Sequence, residues 1–198
     1  APAPDPSERA LAQRERVLCA AEQCFLRRGF HAASIADIAT TAEMSAGLIY
    51  RYFENKSAIV MAIIERQLAE GEALIDRMHA LGDLLELFLQ AYDHWHQRGE
   101  GGTRAALFLD IAAEASRHPE IAVTLRSADT ALRVRLREAL QRHARQQGGG
   151  SSAADLHQRT LLLQLLLEGL AVRTIREPSL TREQLRDALE NLLPRLLS

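Results

Sequence analysis

Tyr50, Arg51, Tyr52 and Lys56 fall close together in the stretch MSAGLIYRYFENK, which runs from Met44 to Lys56. Phenol, guanidinium and ammonium groups at this spacing suit recognition rather than catalysis. They donate hydrogen bonds, and a guanidinium can pair bidentately with guanine. Ser45 is placed to cap a helix. On that helix Ala46, Ile49 and Phe53 share one face, and Gly47, Tyr50, Arg51 and Glu54 share the other. A short helix gains nothing from showing a tyrosine to water, so the outer face is expected to touch a partner.

Other reactive side chains are less organised. Asp93, His94 and His118 could do acid–base work, but nothing arranges them as a triad. His94 and His96 are two apart and diverge on a helix, a poor metal pair. The chain has no GxSxG, P-loop, HExxH or dinucleotide fingerprint. An enzyme, a cofactor and a metal are therefore not expected. Phe88, Tyr92 and Trp95 lie at i, i+4 and i+7 of one helix, with Phe108 on the next and Met78 on the one before. This stripe is either core or the wall of a small-molecule pocket. In the second case Glu114, Asp110, His94, His96 and His118 are candidate polar anchors.

These residues must be held by helices. Strand signals are sparse in the 198 residues, and glycines and prolines gather at a few breaks. The fold class is all-α, with about nine helices. The first runs over 7–28, with Leu11, Leu18, Ala21 and Phe25 on one face and Gly29 at its end. Ser34-Ile35-Ala36-Asp37 opens a second helix with a capping box. The third starts at Ser45, and Asn55 caps a fourth that reaches about residue 79. Longer helices follow over 81–97, 103–117, 119–146, 156–176 and 181–197, with glycine-rich loops at 99–102 and 148–152. Three short helices before a long one, with a tight break between the second and third, form a helix-turn-helix pattern, whose second helix enters the major groove of DNA.

The charge balance agrees with a local rather than a global DNA surface. The net charge is −2, and residues 1–60 carry seven Lys/Arg against seven Asp/Glu. Cys19 and Cys24 lack CxxC spacing and read as small packed residues in a reducing cytosol. The Pro-rich residues 1–6 read as a flexible tail without the apolar segment of a signal peptide. The apolar run near residues 161–170 is interrupted by Gln164 and Glu168, so no membrane span is expected. The expected location is cytoplasmic.

At Arg28-Gly29-Phe30, Ser34-Ile35-Ala36-Asp37-Ile38-Ala39 and Ser45-Ala46-Gly47-Leu48-Ile49-Tyr50-Arg51-Tyr52-Phe53-Glu54-Asn55-Lys56 the sequence resembles the tetracycline-repressor (TetR) family of bacterial transcription regulators. Glu43 departs from the glycine common in the family's turn, which implies strain there or φ < 0. The resemblance implies that Ser34 and Ser45 donate to phosphates, that Ala46 and Gly47 allow close approach to base edges, and that Lys56 clamps a phosphate. Tyr50 and Tyr52 become backbone or base contacts, with half-buried packing the other reading for Tyr52. Arg51 is either a direct base reader or a solvated side chain.

The resemblance divides the chain into a helix-turn-helix DNA-binding domain over 1–54 and a ligand-binding and dimerisation domain over 55–198. The helix over 55–79 is the connecting lever. Leu162, Leu166 and Leu170 lie on a helix apolar nearly all round, which implies burial on two sides. With Leu185, Leu189 and Leu192 of the last helix they are expected to form a homodimer interface. The function implied is a repressor that binds a palindromic double-stranded DNA operator and is released by a small-molecule effector. The alternative is a DNA-binding protein without an inducer. The arginines of the helix over 119–146 are expected to form a solvated face paired with Asp129 and Glu138.

Overall fold

The computed structural model describes residues 6–77, 81–99, 102–146 and 152–197. Met78, the tail over 1–5 and most of the two glycine-rich loops lie outside them. Among the described residues are nine helices: α1 (Pro6–Ala32), α2 (Ile35–Thr41), α3 (Ala46–Tyr50), α4 (Lys56–Asp76), α5 (Leu81–His96), α6 (Arg104–Ala115), α7 (Pro119–Gln146), α8 (Ala153–Arg176) and α9 (Arg182–Leu197). Between α5 and α6 the chain makes a minimal antiparallel pair, β1 (Arg98–Gly99) with β2 (Gly102–Thr103). A loop was expected there.

Caps explain most of the boundaries. Ser34 accepts from the Asp37 amide, and Asp37 accepts from the Ser34 amide, a complete capping box. Ser45 accepts from the Leu48 amide at 3.1 Å, and Asn55 Oδ1 from the Ala58 amide at 2.8 Å. Thr103, Ser152 and Thr181 play the same part at α6, α8 and α9. Each such cap stabilises by about 0.5–2 kcal/mol. Gly29, expected at the end of α1, kinks it three residues before its end, at φ 75° and ψ 164°, a backbone conformation that favours glycine.

By packing, the chain forms two compact units. The first takes Ala1–Glu65 and Arg98–Leu125, the second Arg66–Gln97 and Arg126–Ser198. This division differs from one by role at residues 54 and 55, because α6 and the start of α7 pack with the N-terminal helices. The first unit is centred on Val17, Leu18, Ala21, Phe25, Ile38, Ile49, Ile59 and Ile63, all nearly inaccessible. Leu11 was expected on this face but is 67% exposed, since the fully buried positions of α1 begin only at Val17.

In the second unit α8 and α9 pack on α5 around Phe88, Leu84, Leu87, Leu136, Leu163 and Leu189. Arg182 bonds Glu86 and Asp93 of α5 at 3.2 and 3.1 Å. Among the described residues no helix is long and apolar enough to cross a membrane.

Candidate nucleic-acid interface

α2 and α3 are short, and their length follows from what bounds them. The turn between them needs Glu43 at φ 52°, the left-handed region where a Cβ is unfavourable. Arg16 on α1 holds this residue at 2.9 Å. α3 ends at Tyr50, earlier than expected. The chain then tightens, the Tyr52 amide donating to Ile49, before Asn55 starts α4.

The two faces of α3 are sharply different. Ile49 is fully buried and Phe53 is 4% exposed, while Tyr50 is 56% exposed. Ser45, Gly47 and Arg51 are exposed, and Ala46 and Tyr52 are half-buried. A Cβ built on Gly47 would meet nothing within 4 Å, so no neighbour in the chain demands a glycine there.

Two residues expected at phosphates are used internally. Lys56 donates to the carbonyls of Phe30, His31 and Ala33, and its ammonium lies 4.3 Å from the centre of the Phe30 ring. An ammonium has three N–H donors, so this set occupies all of them. Lys56 thereby caps the carbonyl end of α1 in this structure. Burial lowers its pKa, and the nearby Glu114 charge works against that shift.

Ser34 is similar. Its hydroxyl donates to Asp37 at 2.7 Å, which leaves no proton for a phosphate. Hydrogen bonds from the Ser34 side chain and amide hold the Asp37 carboxyl below the usual aspartate value, and Arg28 adds to this at 2.7 Å.

The aromatic stripe divides between the units. Phe88 (1% exposed) and Tyr92 (8%) belong to the core of the second, with Trp95 packed against it. The Tyr92 hydroxyl donates to the Leu180 carbonyl, and its ring stacks on His96 at 4.2 Å. Phe108 and Glu114 belong to the first unit. Glu114, expected as a ligand anchor, is 4% exposed and faces Arg117, His31 and His118. Of the stripe, Phe88 and Tyr92 are core residues in this structure, and Trp95 and Phe108 are half-buried.

The expected dimer residues also separate. Leu170 and Leu189 are 6% and 5% exposed, buried in the chain's own core, and Leu166 and Leu185 pack against that core. Leu162 and Leu192 stand exposed, joined by Leu161, Leu165 and Ile175. On the inward face of α8, Gln164 bonds Arg133 and Asp129 of α7 beside the buried Leu163 and Leu170. On α7, Arg133 pairs with Asp129 and Arg135 with Glu138, Glu72 and Asp76. Of the cysteines, Cys24 is buried against Thr41, while Cys19 is exposed instead of packed.

A helix-turn-helix carried on an all-helical body is the architecture of a DNA-binding regulator, and sequence comparison agrees. Residues 17–63 match the model for bacterial regulatory proteins of the tetR family, and residues 84–198 match the C-terminal domain of BetI-type transcriptional repressors. The chain belongs to the TetR family of transcriptional regulators and is not an enzyme.

Among characterised relatives, the HTH-type transcriptional regulator UidR of Escherichia coli (strain K12) is 33% identical over 119 residues, 58% of this chain and 57% of that protein. The transcriptional repressor NemR of the same strain is 39% identical over 92 residues, 43% of this chain and 46% of its own. The chain thus spans about half the length of the curated relatives it matches. Salmonella enterica GusR has the same fold, with TM-score 0.74, 24% identity and coverage of 93% and 96% of the two chains. So does FadR from Bacillus subtilis, solved in complex with stearoyl-CoA, with TM-score 0.73, 16% identity and coverage of 93% and 97%.

Proposed function

We propose that this regulator is a cytoplasmic homodimeric repressor whose α3 reads a palindromic operator in the major groove. The observation that carries the reading is Tyr50, 56% exposed on a helix whose opposite side is anchored by fully buried Ile49. Tyr50, Arg51, Gly47 and Ala46 present base-reading and close-approach groups, and Ser45 and Tyr52 flank them at the backbone. Lys56 and Ser34 serve by holding the head together. One such module supplies few base contacts. Two on one body close the gap between non-specific binding, about 10⁻⁴–10⁻⁶ M, and specific binding, about 10⁻⁸–10⁻¹¹ M.

The exposed leucines of α8 and α9 are the surface for the second copy, with Leu162, Leu165 and Leu192 at its centre. A small molecule bound among the helices of the second unit, near Phe88, Tyr92 and Trp95, releases the DNA by shifting α4. The stearoyl-CoA complex of FadR supports a ligand role in this fold. A second reading, binding without an inducer, is favoured by the close packing of Phe88 and by the Tyr92 hydroxyl being engaged with Leu180.

The test is sequencing of the DNA that the purified protein retains from a random duplex pool. Enrichment of an inverted repeat with half-site centres about 34–36 Å apart, or a multiple, is expected. An unenriched pool overturns the reading. A metabolite panel that leaves affinity for the enriched duplex unchanged selects the reading without an inducer.

A further inference from the structure

The buried carboxylate of Glu114 is not explained by DNA contact or by the ligand reading. It sits near the end of α6 at 4% exposure, where a lone charge is costly. What surrounds it comes from three separate places in the first unit. Arg117 donates from the turn after α6 at 3.1 Å. His118 Nε2, from the same turn, lies 3.4 Å from the other carboxylate oxygen. His31 Nε2, at the end of α1, lies 3.2 Å away. The Lys56 ammonium at the start of α4 is close enough to feel the charge.

The surroundings reinforce the same joint. The His118 ring packs edge-on against Phe30 at 5.7 Å, and the Phe30 ring lies beneath Lys56. His118 Nδ1 lies 3.6 Å from Glu120, which also accepts from Ser57, the second residue of α4. Asp110, one turn before Glu114, has its carboxyl pushed up by partial burial and by the Glu114 charge. The α6–α7 corner is therefore held to the two chain segments that fix the reading head, the end of α1 and the start of α4.

We propose that Glu114 is a positioning residue for operator recognition, the buried charge through which α6 holds the end of α1 and the start of α4. This rests on the operator-binding reading above, and it adds a positioning residue to that site.

The experiment compares wild type, Glu114→Gln, His31→Gln and the double variant, all full length. His31 has a side chain 67% exposed, so His31→Gln alone tests the same contact if Glu114→Gln folds poorly, with faster exchange at 110–118 expected and unchanged exchange there overturning the proposal. Amide hydrogen exchange in the DNA-free protein is read at residues 30–34 and 110–118, with residues 59–64 as the internal reference. Faster exchange by about tenfold at the first two segments in Glu114→Gln, with the reference unchanged, is expected. The single effects should be non-additive in the double variant.

Kd for the operator enriched by the wild type is then expected to rise about tenfold, with binding to an unrelated duplex unchanged. Unchanged exchange at 30–34 in a folded Glu114→Gln, or strictly additive effects, overturns the proposal. If the wild type enriches no operator, the functional reading fails, while the exchange cycle still decides whether Glu114 holds the joint.

Discussion

The ammonium of Lys56 lies 4.3 Å from the centre of the Phe30 ring and donates to the Phe30 carbonyl, so the first residue of α4 closes the end of α1. Replacing it by methionine keeps the stem and removes the charge-assisted bonds. Lys56→Met should lose about 1.5–3 kcal/mol of stability in denaturant unfolding. The slope of log Kd against log salt should stay as in the wild type. A slope reduced by about one charge would instead place Lys56 on a phosphate.

Asp37 gives the head a defined acid sensitivity. Its folded pKa lies below the ordinary aspartate value of 3.8, first because of the Ser34 hydroxyl and amide. The stability it confers is complete above that value and is lost as pH falls through the lower folded pKa. Asp37→Asn should flatten the fall in stability measured by acid titration below pH 3.8. A parallel fall in both proteins would count against the capping box as the source.

Glu43 stands at φ 52°, and the exposed Arg16 is the partner that offsets the strain. An exposed ion pair stabilises by about 0–1 kcal/mol, while the left-handed backbone costs a residue with a Cβ roughly 1–2 kcal/mol. Glu43→Gly should therefore be more stable than Glu43→Ala by about 1 kcal/mol in thermal unfolding, the reverse of the usual order.

Base reading by Arg51 predicts a change of kind as well as degree. Arg51→Ala should weaken binding to the enriched operator by about 1–3 kcal/mol and broaden the sequence preference at one position of each half-site. Anisotropy titrations on single-substitution duplexes measure both. Tyr50→Ala, at the neighbouring exposed position, should weaken binding without unfolding the protein.

The leucines of α8 make opposite predictions by face. Leu165, 54% exposed, should tolerate glutamate as a folded monomer in sedimentation. Leu170, 6% exposed, should lose about 2–5 kcal/mol on truncation to alanine, whatever the oligomeric state.

The helices were legible because their ends carry their own chemistry. Pro119 begins α7, and Ser34, Ser45 and Asn55 begin the helices they cap. The two faces of α3 also follow from the spacing of Ile49 and Phe53 around Tyr50. The partners of Lys56 and the contact of Glu114 with His31 were not legible, since they come from distant parts of the chain. A cation at the edge of a helix-turn-helix reads the same whether it meets a phosphate or three carbonyls. α8 hid its phase for a different reason. Leucine on nearly every side carries no direction, and the face turned inward is the one with Leu163 and Leu170, where Gln164 pairs with Asp129 and Arg133.

Arg14, Arg16 and Arg28 of the head are each matched to an acid of the same unit, at Glu65, Glu43 and Asp37. Arginines paired in this way are expected to add little to the counterion release that drives binding to arbitrary DNA. On the operator-binding reading, selectivity is then expected to come from a low background of residence on the wrong sequence as well as from tight grip on the right one.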